Sequence, residues 1–264
     1  MVIFKPDDLD EIIHNAAARR TWLDNLIVKS ENTGADLYGR YRRIIQQRLR
    51  ALEQTSEGEI VDLNSLDEQL CQYGAQITLL RLKALRELSR KFTDTYNNIA
   101  QEEKNMALQL ISKTEMSLSG DIAEIQQGYA RACAQLRKQE VAARRNLVGP
   151  HRDDVGIFQG PQLLQETGSR GEWRTAVVAL KIGELEYLEQ KNGERPLLLI
   201  DDVLSELDQS RRAALTKIFL RQQTVLTTTN LSELPKRIQV AAQIYQIDQG
   251  AVHLGAPQKV YAET

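Results

Sequence analysis

The stretch Pro196-Leu197-Leu198-Leu199-Ile200-Asp201-Asp202, followed by Ser205-Glu206-Leu207-Asp208, decides the fold. An unbroken aliphatic run is the mark of a strand covered on both faces, as in a parallel sheet packed by helices. Ligands in such sheets collect at the carboxyl ends of the strands, which is where Asp201 falls. Mg²⁺ takes hard oxygen ligands and keeps most of its waters, so one carboxylate there can suffice to hold it. The next acid, Asp202, points the other way and is placed to orient an attacking water or accept its proton. A strand ending in an Asp-rich turn with no chemistry fits these residues equally well.

Upstream, Ser169-Arg170-Gly171-Glu172 opens a helix. Serine at the cap with glutamate three residues on is a capping box, contributing about 1 kcal/mol to a helix start. The same geometry suits a γ-phosphate, because it offers free backbone N–H groups, a hydroxyl and a glycine that permits close approach. Downstream, Ser205, Glu206, Leu207 and Asp208 also read as a helix cap, with Asp208 capping. Neither segment decides alone. Their order does: cap motif, one helix, Pro-led apolar strand, paired acids, Ser-Glu-Leu-Asp.

The rest of the chain divides by texture. Residues 1–28 read as a short strand at Val2-Ile3-Phe4, a turn at Lys5-Pro6-Asp7-Asp8, and one helix continuing through Arg19-Arg20-Thr21-Trp22-Leu23-Asp24. From about 30 to 100, Leu66, Leu70, Tyr73, Ile77, Ala84 and Leu88 recur at helical spacing. Ser56-Glu57-Gly58-Glu59 reads as a loop. Met106–Ile111 reads as an isolated strand, Ser119–Arg145 as a helix, and Val155–Pro161 as half of a hairpin. A helix follows over about 170–190, with Trp173, Val177, Leu180 and Tyr187 on one face. After the strand at 197–201 come a helix at about 209–220, a strand at Thr224–Thr228, a helix cut off by Pro235, and a terminal hairpin. The expected division is 1–28 as the edge of a head, 29–145 as a helical lobe, and 146–264 as the rest of the head.

Composition narrows the classes. With 34 basic against 36 acidic residues, the net charge of −2 gives no global attraction to nucleic acid. Any DNA contact must come from a local patch. Arginines cluster at Arg40, Arg42, Arg43, Arg48 and Arg50, at Arg81, Arg86 and Arg90, and at Arg144 and Arg145. Of these, Arg42, Arg43, Arg48, Arg144 and Arg145 are the DNA-contact candidates, although an interleaved solvated face explains such clusters as well. Cys71 and Cys133 have no CxxC spacing and read as structural thiols of a reducing compartment. The apolar runs fall far short of the ~20 residues of a membrane span, and the start has no signal-peptide layout, so a soluble cytoplasmic protein is expected. Gly149-Pro150-His151-Arg152-Asp153-Asp154 sets cations and carboxylates beside a rigid turn. A metal-dependent phosphoesterase would need His151 and Asp153 to meet Asp201 and Asp202.

Taken together, Phe4–Leu9, Arg19–Asp24, Tyr41-Arg42-Arg43, Val148–Asp154, Gly168–Glu172 with Arg174-Thr175, Leu197–Asp202, Ser205–Asp208 and Thr227-Thr228-Thr229 resemble the RecF family of ABC/SMC-type recombination-mediator ATPases. The resemblance implies an α/β fold: a partial ABC-type ATPase head (lobe I, with an incomplete sheet) carrying a large helical lobe (lobe II). It implies that Asp201 is the acid that holds Mg²⁺ and that Asp202 is the catalytic residue polarising water. Ser169, Arg170, Gly171 and Glu172 would be the signature that caps ATP bound by a partner subunit, and Ser205, Glu206 and Asp208 the loop crossing the dimer interface. It further implies a homodimer when complete and ATP-bound, DNA as ligand at gaps and single-strand–double-strand junctions, RecR-like and RecO-like partners, and help in loading a recombinase during DNA repair.

The sequence departs from that family pattern in two ways. No G-x-x-x-x-G-K-[ST] phosphate loop occurs in it, so it looks like a C-terminal portion that by itself would not bind ATP and Mg²⁺ well, with a strand at 197–201 that could lack neighbours. Thr228 and Thr229 stand at the switch position, where many ABC heads carry histidine. A stand-alone DNA or protein adaptor without ATPase activity is the alternative expectation.

Overall fold

The structure is a computed structural model that describes residues 1–54 and 63–255. The loop expected at Ser56–Glu59 lies outside the described residues.

The aliphatic strand forms as expected but does not lack neighbours. β1 (Val2–Phe4), β5 (Leu198–Asp201) and β6 (Thr224–Thr227) make a parallel sheet with β5 in the middle. Ile200 pairs with Phe4 on one side and Leu226 on the other. The sheet therefore ends at Asp201 and Thr227, which lie side by side in register.

Two helices follow β1 where one was expected: α1 (Asp8–His14) and α2 (Ala16–Ser30). Asn15 causes the break. Its backbone is extended, and its side chain caps α2 by accepting from the Ala17 amide at 2.9 Å. The carbonyls orphaned at the end of α1 are taken by Arg19, whose Nη1 donates to Ile12 at 2.9 Å and Ile13 at 2.6 Å.

α3 (Gly34–Glu53) and the 37-residue α4 (Asn64–Ala100) carry the long apolar stripes. At 1.5 Å per residue, α4 is about 55 Å long. Its first half packs with α3 and α5 (Ile122–Ala143) around Leu37, Ile44, Leu70, Ile77 and Tyr129. Its second half, from Ala84 to Ile99, belongs to the larger core with β1, α2 and the central helix α7. β2 (Met106–Ile111) is not isolated: it runs antiparallel to β3 (Asp154–Gln159), which turns back through β4 (Gln162–Leu163). A single turn, α6 (Leu164–Thr167), leads to α7 (Arg170–Asn192).

α7 is not one-sided. Every residue from Thr175 to Leu185 is buried, because α1, α2, α4, α8 and β1 surround it. Its buried polar groups are answered individually. Lys181 Nζ donates to the Ile3 carbonyl at 2.8 Å and pairs with Asp8 at 2.9 Å, while Glu184 accepts from Trp22 Nε1 at 3.0 Å. α8 (Gln209–Phe219) follows β5. Pro235 starts a helix where it was expected to end one. α9 (Lys236–Ala241) begins on the Pro235 carbonyl, which accepts from the Ile238 amide at 2.8 Å; proline lacks only an N–H that a helix start leaves unpaired. The terminal hairpin of β7 (Tyr245–Asp248) and β8 (Ala251–Leu254) forms as expected. Among the described residues, no helix is long and apolar enough to cross a membrane.

Candidate nucleotide-handling site

Asp201 is exposed at the carboxyl end of β5, and the Thr227 hydroxyl donates to its Oδ1 at 2.8 Å. Thr227 also accepts from the Asp202 amide, through its carbonyl at 3.2 Å and its hydroxyl at 3.1 Å. Asp202 leaves the strand in the left-handed region, φ 47°, a conformation that asparagine and aspartate enter more readily than most residues. The Asp202 carbonyl accepts from Ser205 Oγ at 2.8 Å. Asp202 Oδ1 is buried and has no hydrogen-bond partner. The oxygens of Asp201, Thr227 and Asp202 are hard donors of the kind Mg²⁺ takes. They do not close a protein cage, since no cluster of three or more His, Cys, Asp or Glu side chains among the described residues could hold a metal. A site with few protein ligands suits an ion that keeps waters and phosphate oxygens.

Ser169–Glu172 forms a complete capping box. Glu172 N donates to Ser169 Oγ at 3.3 Å, and Ser169 N donates to Glu172 Oε2 at 2.8 Å. The Ser169 hydroxyl also donates to Oε2, at 2.9 Å. Lys104, in the turn after α4, grips the other oxygen, Oε1, at 2.7 Å. That ammonium, followed by the Ser169 amide, holds the Glu172 carboxyl down at about 2. Ser169 and Arg170 are exposed, or nearly so, at the helix mouth. Gly168 cannot be replaced cheaply, because a Cβ there would lie 2.7 Å from the Leu164 carbonyl and from Trp173 Nε1, which are hydrogen-bonded to each other.

The loop of Ser205, Glu206, Leu207 and Asp208 joins the two halves. Arg174 Nη1 donates to the Glu206 carbonyl at 2.6 Å and its Nη2 to Glu206 Oε2 at 3.0 Å. Asp208 caps α8 by accepting from the Arg211 amide at 3.0 Å. Arg211 in turn donates to the Gly171 carbonyl and to Thr175 Oγ1. Beyond β6, the half-buried Thr228 donates from Oγ1 to the Asn230 carbonyl at 3.2 Å, and Thr229 beside it is exposed.

The other candidates separate. Arg42, Arg43, Arg144 and Arg145 are exposed. Arg48 is not: it is fully buried, with Nη2 2.6 Å from Glu140, Nε 2.7 Å from Asp67 and Nη1 2.9 Å from Asn146. Its guanidinium is a structural cation and has no free donor face for a phosphate. Arg81 is likewise buried, bidentate to Asp24 and bonded to the Pro150 carbonyl. His151 and Asp153 do not meet the paired acids. His151 Nδ1 is 2.7 Å from Tyr41 Oη, and Asp153 accepts from Ser112. The phosphoesterase reading therefore falls. Gly149, at φ 128°, lets Tyr41 in, since a Cβ there would lie 2.3 Å from the Tyr41 hydroxyl.

Sequence reasoning passed over Thr227 as a ligand to Asp201 and did not single out Lys104. Thr227 follows from the register of β5 and β6. No sequence signal marks Lys104, which is 68 positions from its partner.

Comparison with known proteins finds relatives that cover nearly the whole chain. A DNA replication and repair protein RecF from Chloroflexus aggregans is 35% identical over 263 residues, covering 97% of this chain and 67% of the relative. The chain belongs to the RecF family. A second RecF protein, from Synechocystis, is 34% identical over 96% of this chain and 68% of its own length. Two solved RecF structures, described as the recombination mediator protein RecF-ATPrS and RecF-ATP in the RecFOR pathway, superpose with TM-scores of 0.83 and 0.84 at 30% and 26% identity, each over 97% of this chain. The chain spans about two thirds of the length of these RecF relatives. No family model matches it. The fold is thus the α/β, partial ABC-type head with a helical lobe.

Proposed function

We propose that this chain supplies the signature and acidic half of a RecF-type nucleotide clamp acting in DNA repair. Asp201 holds Mg²⁺, and Asp202 orients and deprotonates the attacking water. Ser169, Arg170, Gly171 and Glu172 cap the γ-phosphate of ATP held by a partner subunit, and Ser205, Glu206 and Asp208 line the meeting surface. Thr228 and Thr229 form the switch. Residues 1–28 and 146–264 act as the head and 29–145 as the lobe, with the second half of α4 tying the two together. ATP closes the clamp on gapped or junction DNA, Arg42, Arg43, Arg144 and Arg145 meet phosphates, and RecO-like and RecR-like partners act with it in the cytoplasm to load a recombinase. Without a phosphate loop among its own residues, the chain alone does not turn over ATP.

The observation that supports this reading is the set of bonds by which the Ser205–Asp208 loop reaches both groups: Ser205 to Asp202, which is tied to Thr227 and Asp201, and Asp208 to Arg211, which donates to Gly171. Fluorescence polarisation of labelled gapped DNA tests it, using this chain mixed with a RecF protein that carries the phosphate loop. ATP should raise the affinity of the mixture, and Asp202→Asn in this chain should prolong the bound state. A nucleotide-independent signal, unchanged by Asp202→Asn, would favour the stand-alone adaptor.

A further inference from the structure

The two cysteines of the chain lie opposite each other on neighbouring helices of the lobe. Asp67 of α4 pairs with Arg137 of α5, and about three turns further along α4 Thr78 is 2.8 Å from the Tyr129 hydroxyl of α5. Numbers rise along α4 as they fall along α5, so the helices are antiparallel. Cys71 follows Asp67 by four residues and Cys133 precedes Arg137 by four, which sets the thiols on the next rung. Between the rungs, Gly74 keeps the helices close, since a Cβ there would stand 3.4 Å from the Tyr129 ring.

That register turns the two thiols toward each other across the seam between α4 and α5. They are 4% and 2% exposed, yet both line a cleft of about 560 Å³ together with Asp67, Glu68, Ala130 and Arg137. That cleft admits a small oxidant and excludes a second protein's thiol. Side by side, the Cys71 thiol is drawn below its ordinary range and the Cys133 thiol is pushed up, burial adding to the rise. Both thiols line the same cleft, so either can act as the nucleophile with the other as the resolving thiol.

We propose that Cys71 and Cys133 form an oxidation site, which a peroxide closes into a disulfide bolting α4 to α5. One Sγ, for example that of Cys71, attacks one peroxide oxygen, the O–O bond breaks, and one molecule of water (or alcohol) leaves, giving a sulfenic acid. Cys133 Sγ then attacks that sulfur, the S–O bond breaks, the S–S bond forms, and water leaves with the Cys133 proton. Two thiols are oxidised and one peroxide is reduced. Disulfides in reducing compartments are usually of this transient, redox-sensing kind.

The test treats the whole chain with one equivalent of hydrogen peroxide, blocks free thiols by alkylation, and reads the intact mass and a non-reducing gel. The expected product has lost two hydrogens, takes no alkyl group, stays monomeric, and reverts with dithiothreitol. Cys71→Ser and Cys133→Ser should each form no disulfide and leave on the remaining cysteine a sulfenic acid that dimedone traps, with both variants keeping the parent's helical circular dichroism. Two alkylated thiols or a cross-linked dimer would each overturn the proposal.

Discussion

Lys104 Nζ lies 2.7 Å from Glu172 Oε1, so the turn after the long helix α4 holds the carboxylate that fixes the Ser169 hydroxyl. The pair is partly exposed, and its worth to stability is small, on the order of 0.2–1 kcal/mol. Its effect on charge is larger. Lys104→Ala should let the Glu172 carboxyl rise from about 2 toward its ordinary 4.5, read by NMR titration of the side-chain carboxyl carbon. A depressed carboxylate stabilises above its unfolded pKa and loses that contribution as pH falls through its folded one. The Glu172 share in the parent chain should therefore vanish between pH 4.5 and about 2, and in Lys104→Ala it should shrink to the part held by the Ser169 amide and hydroxyl.

His151 titrates in the same acid range through the opposite charge change. Burial, with Arg152, Arg20 and Arg81 nearby, brings its pKa down from 6.5 to about 4. Below pH 6.5 the unfolded chain binds a proton that the folded chain refuses, so stability declines as pH falls from 6.5 to about 4. The loss is on the order of 3 kcal/mol. His151→Gln should flatten this slope in urea unfolding measured across those pH values.

Arg48 and the exposed arginines should part company under mutation. Arg48→Ala strands the buried Glu140 carboxylate, and breaking a buried pair from one side costs about 3–5 kcal/mol. The variant should lower the urea midpoint and disturb the lobe whether or not DNA is present.

Arg144→Gln with Arg145→Gln should leave stability within about 0.5 kcal/mol of the parent in urea unfolding, as exposed substitutions do. DNA affinity should drop, and the slope of log affinity against log salt should flatten by about 0.9 for each phosphate left without its arginine. An unchanged slope would place the DNA surface elsewhere.

What the sequence made legible was what short-range physics sets. The β5 run, the Ser169–Glu172 box and the terminal hairpin each depend on residues a few positions apart. What it hid depends on partners far along the chain. Arg48 reads as one arginine in a basic stripe until Glu140, 92 positions away, is found against it. α7 carries enough polar residues to look one-sided, but Lys181 and Glu184 are buried with partners from β1, α1 and α2. Pro235 and Asn15 are helix punctuation, and only the flanking backbone decides whether each one ends a helix or begins one.

The most direct measurement is sedimentation velocity of the fluorescently labelled chain, mixed with a RecF protein that carries the phosphate loop, in ATPγS, in ADP, and in ATPγS with Ser169→Arg in the labelled chain. A nucleotide clamp capped by this signature should give a faster-sedimenting complex with ATPγS alone, lost in ADP and lost in Ser169→Arg. A complex that forms equally in all three, or in none, would contradict it.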